Sequence, residues 1–282
     1  MGHLGFDSFL PGITEADDAA TSAWWFVFRG TDMLVSRTAD SFSIPRAATL
    51  EHLGVAGGAA HYLGLADGLP CRAVELPPDA AAPAGWSFEG VRSLFGLIAD
   101  SFFAVAARAL EVLEWDRTHR YCGACGTATV IKDGERAREC PSCKSLSYPR
   151  ISPAVIVAVS RGERILLARA RRFPPGFFSV LAGYVEPGET LEECVKREVK
   201  EETAVDVTNL RYFSSQPWPF PHSLMVAFTA DWAGGEIRVD ESELVEAGWY
   251  AVDALPHIPD PITVARRLID GWIAGRRAGR PR

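Results

Sequence analysis

The 282-residue sequence predicts an α/β protein in three parts. Strand-like runs separated by Gly and Pro fill residues 24–76, so the first part is a sheet-rich α+β region. Two C-x-x-C pairs then bracket a short insert, and after Pro153 strand-like runs surround one glutamate-rich helix, as in an α/β domain. The expected boundaries are 1–115, 116–150 and 151–282.

In the first part, "WWFVF", "MLVSR", "AAHYLGLA" and "CRAVEL" are the strand candidates. "PPDAAAPAG" at 77–85 is linker-like, and apolar periodicity predicts a helix from Val91 to Trp115. Asp100, Arg108 and Glu111 interrupt this apolar stretch, so it reads as a helix with a buried face and not as a membrane span. The first twenty residues lack a basic stretch followed by an apolar core, which makes the cytoplasm the simplest address. A net charge of -7 gives no global attraction to nucleic acid or anionic membrane, so any phosphate binding must be local.

In the second part, Cys122, Cys125, Cys140 and Cys143 form two pairs with fourteen residues between them, the spacing of a zinc ribbon. Four thiolates leave no open position on Zn²⁺, so one structural zinc is expected. A disulfide pair or a redox pair is the alternative. A turn at Asp133-Gly134 should join two short arms. Cys71 and Cys194 lack partners in sequence and read as small buried hydrophobes.

The third part offers strands at "AVIVAVS", "RILLARA", "FFSVLAGYV", "LRYFSSQPW", "SLMVAFTADW" and "GWYAV", and a closing helix at "PITVARRLIDGWIAG". Thr190 followed by Glu193 is a capping box that starts the central helix near Leu191, after a turn at Gly188. At about 100° per residue, Leu191, Cys194, Val195 and Val199 form the apolar sector. Glu192, Glu193, Lys196, Arg197 and Lys200 oppose it, with Glu193 and Arg197 spaced for an i,i+4 pair. Glu198, Glu201 and Glu202 fall at roughly -20°, -80° and +20° from Leu191, so they continue the apolar stripe. No Lys or Arg shares that sector, so hard divalent cations, Mg²⁺ or Mn²⁺, answer the buried charge and could carry a phosphorylated ligand. Three carboxylates that simply meet solvent are the alternative.

Gly183, five residues, Glu189, seven residues and "REVKEETAV" resemble the Nudix box, with Ala204 in place of its glycine. A side chain at a left-handed helix end costs on the order of 1 kcal/mol. "SQPWPFPHS" and the four cysteines ahead of the domain further resemble the NADH pyrophosphatase (NudC-like) branch of Nudix hydrolases. The resemblance implies an α/β/α sandwich with a mixed sheet. It implies catalytic Mg²⁺ or Mn²⁺ on Glu198, Glu201, Glu202 and Glu243, with Gly183, Glu189 and Arg197 supporting the loop. Tyr184, Gln216, Ser223, Met225 and Ala265 match nucleotide-pocket positions. Trp218 and Phe220 would be a pocket wall held rigid by prolines, although a packed Pro-aromatic corner has the same sequence. "DESE", Asp240 to Glu243, could equally be a helix cap.

The function so implied is hydrolysis of the diphosphate bond of NADH or NAD⁺ to AMP and NMNH or NMN, by a homodimer. Removal of NAD caps from RNA 5′ ends would use the same chemistry. Seven Lys/Arg against four Asp/Glu at 116–150, and six Arg in the last seventeen residues, offer local positive charge or simply a solvated surface. A zinc-ribbon regulator that senses a nucleotide without cleaving it is the reading from another class, and the intact glutamates count against it.

Overall fold

The computed structural model describes residues 6–15, 22–37 and 41–278, and the chain divides into two compact units, Met1–Arg150 and Ile151–Arg282. In the first unit, strand Ala23–Arg29 runs parallel to Leu69–Glu75 and antiparallel to Asp32–Arg37. Phe26, Phe28, Met33, Leu34 and Leu63 are fully buried in this unit. The helix expected from Val91 breaks in two. A 3-10 turn at Val91–Leu94 stops before Gly96, whose φ of 70° a helix cannot accommodate, and the α-helix runs from Asp100 to Thr118. The linker-like stretch joins no two domains. It is a loop within the unit: Arg29 donates to the Ala80 carbonyl, and strand Ser87–Gly90 beyond it pairs with Asp32–Val35.

The second unit is a sandwich around a six-stranded mixed sheet. Strand Ser152–Arg161 lies at its centre, parallel to Ser223–Gly234, which in turn pairs antiparallel with Asp206–Trp218. The central strand forks. Its first half pairs with the short strand Leu181–Tyr184, and its last two residues pair with Arg164–Ala170, which continues to Leu244–Ala251. Of "FFSVLAGYV" only these last residues become strand; Phe178 and Val180 fill the core instead.

Period-two alternation sorts the sheet into two faces. Val155, Val157 and Val226 meet Cys194, Val195 and Val199 of the helix Leu191–Thr203. Ile156, Ala158 and Ala227 meet Val264, Ala265, Leu268 and Ile269 of the helix Val264–Ala278. Full burial of a side chain such as Leu268 or Ile269 is worth about 1.5–3 kcal/mol, which is why neither helix needs strong propensity to stay docked. Among the described residues no helix is long and apolar enough to cross a membrane.

Candidate functional site

The helix Leu191–Thr203 begins with the expected capping box: the Thr190 hydroxyl accepts from the Glu193 N–H, and the Glu193 carboxylate accepts from the Thr190 N–H at 2.9 Å. This reach toward the N-terminus leaves Glu193 unable to pair with Arg197, contrary to the i,i+4 expectation. Arg197 instead forks onto Glu189 at 2.7 and 2.8 Å, and donates to Glu198 at 2.9 Å, Glu201 at 3.0 Å and the Tyr184 carbonyl at 3.0 Å. The acidic sector therefore does have a cation, because a long guanidinium crosses the helix surface in a way that α-carbon angles do not register. The Arg197 bonds, with the Glu186 N–H, hold Glu189 down at about 2.

The three glutamates are not equivalent. Glu202 is 7% exposed, the Glu198 side chain 13% and that of Glu201 59%, so Glu201 departs from the inward expectation as its outlying angle of about -80° allows. The Glu198 carboxylate lies against the backbone of Gly183, where a Cβ would sit 1.9 Å from Cδ. Only glycine leaves that space. Burial, with Glu198 and Glu243 nearby and Arg172 opposing, pushes Glu202 up to about 8. Burial also raises Glu198, with Glu201 and Glu243 adding to it. A deeply buried carboxylate whose pKa is raised further by two neighbouring carboxylates is a donor set that fits a hard divalent cation. Glu198, Glu202 and Glu243 are the residues that would hold it. "DESE" is no helix cap: Asp240 accepts from the Ser242 N–H at 2.8 Å in a turn that leads into strand Leu244–Ala251.

Three of the positions expected to line a nucleotide pocket, Tyr184, Met225 and Gln216, lie along one cross-strand row. Tyr184 pairs with Ala154, Ala154 with Met225, and Met225 with Gln216, on the sheet face covered by Val264–Ala278. Tyr184 is 52% exposed while its hydroxyl bonds the buried Ser223 hydroxyl at 2.9 Å. The Gln216 amide brackets the start of the closing helix, accepting from the Val264 N–H at 2.7 Å and donating to the Ile262 carbonyl at 2.8 Å. Ala265 is buried one residue beyond. The Trp218 and Phe220 rings meet edge to face, with centroids 5.3 Å apart.

The four cysteines carry no disulfide, and Sγ–Sγ separations are 3.6 Å for Cys122–Cys143 and Cys125–Cys143 and 3.5 Å for Cys125–Cys140. Tetrahedral zinc with bonds of about 2.3 Å requires edges of about 3.8 Å, so the thiols are gathered for one ion. Two matching knuckles do this. The Gly126 N–H bonds the Cys122 carbonyl and the Lys144 N–H bonds that of Cys140, and both residues take positive φ, 74° and 64°. Among the described residues this is the only group of three or more His, Cys, Asp or Glu whose ligand atoms all lie within 4.8 Å of one another. The basic residues here are largely paired: Arg138 and Arg120 with Asp116, Lys132 with Glu135, Lys144 with Glu139.

Residues 150–269 match the NUDIX domain family, residues 117–148 the NADH pyrophosphatase zinc ribbon domain, and residues 22–115 the NADH pyrophosphatase-like rudimentary NUDIX domain. The chain is 44% identical over 263 residues to the NAD-capped RNA hydrolase NudC of Deinococcus radiodurans, covering 92% of this chain and 90% of that one. The chain belongs to the Nudix hydrolase family. Nudix relatives of the same name include those of Stutzerimonas stutzeri, 46% identical over 78% of this chain and 79% of that one, and Pectobacterium atrosepticum, 53% identical over 62% and 68%. A solved Nudix hydrolase from Nitrosomonas europaea aligns with a TM-score of 0.49 and 22% identity, over 57% of this chain and 94% of that one.

Within the Nudix box, Ala204 takes φ 60° and ψ 10°, the left-handed geometry for which the family glycine is suited. Three features escaped the sequence reading: the reach of Arg197 to Glu198 and Glu201, the proximity of Arg172 to Glu202, and the rudimentary Nudix relationship of residues 22–115. That last segment contains no copy of the box from which a Nudix kinship could be read.

Proposed function

We propose that this Nudix hydrolase adds water across the diphosphate bond of an NAD moiety. Free NADH or NAD⁺ would yield AMP with NMNH or NMN, and an NAD-capped RNA would yield NMN and a 5′-monophosphate end. The observation that carries the reading is the buried Glu202, within charge range of Glu198 and Glu243, at the end of a helix braced by the Glu189–Arg197 fork. A nucleotide sensor has little use for so costly a carboxylate. The RNA substrate is favoured specifically by the names of the relatives, and both substrates present the same bond.

Mg²⁺ or Mn²⁺, when bound, supplies the positive charge that neutralises the diphosphate and the leaving phosphate. The protein's own residues do the rest. Arg197 restrains Glu198 and Glu201, Gly183 makes room for Glu198, and the exposed face of Tyr184 offers a stacking surface for a base or nicotinamide ring, oriented by its bond to Ser223. Gln216 fixes the closing helix that carries Ala265. The same proposal includes a homodimer and a cytoplasmic location, the latter in keeping with six unbridged cysteines.

The test is incubation with NADH, NAD⁺ and NAD-capped RNA in Mg²⁺ or Mn²⁺, with products resolved by chromatography, beside Glu202→Gln and a chelator control. The expected products are AMP with NMNH or NMN, and NMN with 5′-monophosphate RNA, all lost in both controls. Intact substrates after exposure to folded, zinc-loaded enzyme would refute the reading. Light scattering tests the dimer.

A further inference from the structure

The end of the box helix and the entry to strand Leu244–Ala251 are far apart in sequence, yet they carry Glu202 and Glu243, the second close enough for its charge to act on the first. One segment connects them. The last helical carbonyls lack partners within the helix. Here the Thr203 carbonyl accepts from the Arg238 N–H at 2.9 Å and the Glu202 carbonyl from the Asp240 N–H at 3.0 Å. Gly235, at φ 81°, starts this segment so close to the helix end that a Cβ would stand 2.5 Å from the Ala204 carbonyl oxygen. Asp240 then folds the remainder. Its carboxylate accepts from the Ser242 N–H at 2.8 Å, and its carbonyl accepts from Glu243 N–H at 3.1 Å and Leu244 N–H at 2.9 Å. The Glu243 carbonyl is in turn held by the Arg171 N–H at 3.0 Å.

We propose that Asp240 is a positioning residue for the hydrolytic site: its N–H grips the main chain of Glu202, while its carboxylate and carbonyl shape the turn that delivers Glu243. This rests on the assignment of Glu202 and Glu243 to the cation-binding site. Asp240 touches neither substrate nor cation in this role. It acts by fixing the separation of two carboxylates that come from different elements, as partners outside the immediate ligand shell do at other metal sites. The side chain is exposed and forms no part of the core, so its removal leaves the packing of the domain unchanged. Asparagine can accept the same Ser242 bond, because an Asx-turn needs the oxygen and not the charge.

The experiment compares full-length Asp240→Ala and Asp240→Asn with Glu202→Gln and Glu243→Gln. The readouts are kcat and KM for NADH, Mn²⁺ binding by electron paramagnetic resonance titration of zinc-loaded protein, and thermal melting. Asp240→Ala should lower kcat about 10-fold and weaken Mn²⁺ binding about 10-fold, with KM within about twofold and an unchanged melting profile. Asp240→Asn should recover most of both losses. Wild-type Mn²⁺ binding and kcat in Asp240→Ala, while Glu202→Gln and Glu243→Gln lose turnover, would overturn the positioning role alone. Equal damage in Asp240→Asn and Asp240→Ala would also overturn it, by assigning the effect to charge. Normal turnover in Glu202→Gln or Glu243→Gln would overturn the site assignment and the positioning role together, a result recognisable because it appears in the reference variants.

Discussion

The cysteine cluster and the carboxylate site proposed for a divalent cation solve opposite problems. In the ribbon, four sulfurs stand gathered within 4.8 Å of one another, on two knuckles with the same hydrogen bonds and the same left-handed residue. In the second unit each carboxylate has a restraint of its own kind: Glu198 and Glu201 share one Arg197 nitrogen, Glu202 is buried at the helix end, and Glu243 follows a turn from another element. A closed site completes itself and contributes folding energy. A site meant for turnover keeps its acids restrained but incomplete, so that part of the coordination is left to the substrate.

The largest effect should come from breaking the closed site. Cys140→Ser should reduce bound zinc from one per chain to none and expose residues 119–148 to proteolysis, since structural zinc contributes on the order of 10 kcal/mol of folding energy. Elemental analysis and mass mapping of fragments would read both changes. Next in size, Arg197→Ala should lower kcat roughly 10–100-fold by releasing Glu189, Glu198 and Glu201 together. Lysine should not rescue it, because an ammonium cannot fork; full rescue would mean that charge alone matters.

A smaller effect sharpens the comparison through pH. Glu202 is raised to about 8 when folded, above its ordinary value of 4.5, so the cation-free native state holds the proton more tightly than the unfolded chain. Stability therefore falls as pH rises from about 4.5 to about 8, and the penalty is complete above that range. Glu202→Gln should then abolish turnover yet raise the melting temperature of cation-free protein at pH 8.5, with most of the gain gone at pH 5. A pH-independent difference would contradict the burial argument. The smallest effect is Ala204→Gly, which should add about 1 kcal/mol to stability with kcat unchanged, measured by denaturant titration.

The sequence made legible what depends on short spacing. The capping box, the apolar stripe of Cys194, Val195 and Val199, the paired cysteines and the strand at Ser152–Arg161 are all set by neighbours within a few residues. It failed where a side chain had two possible destinations. Glu193 could reach forward to Arg197 or back to Thr190, and the orphan N–H groups at the helix start decided it. The need for Gly183 was visible only once Glu198, fifteen residues later, lay against it. Asp240 carried a cap signature because a side-chain oxygen that accepts two residues on serves a turn as well as a helix.

Gly183 and Tyr184 are neighbours on one short strand, and because a strand alternates, the first faces Glu198 and the second faces the row toward Met225. On the proposed reading this makes the strand a ruler. A compound with an aromatic ring at one end and a diphosphate one sugar away can engage both sides of the strand at once, whereas a nucleoside without phosphate reaches only one. Selection by length would then require no contact that rejects the shorter molecule.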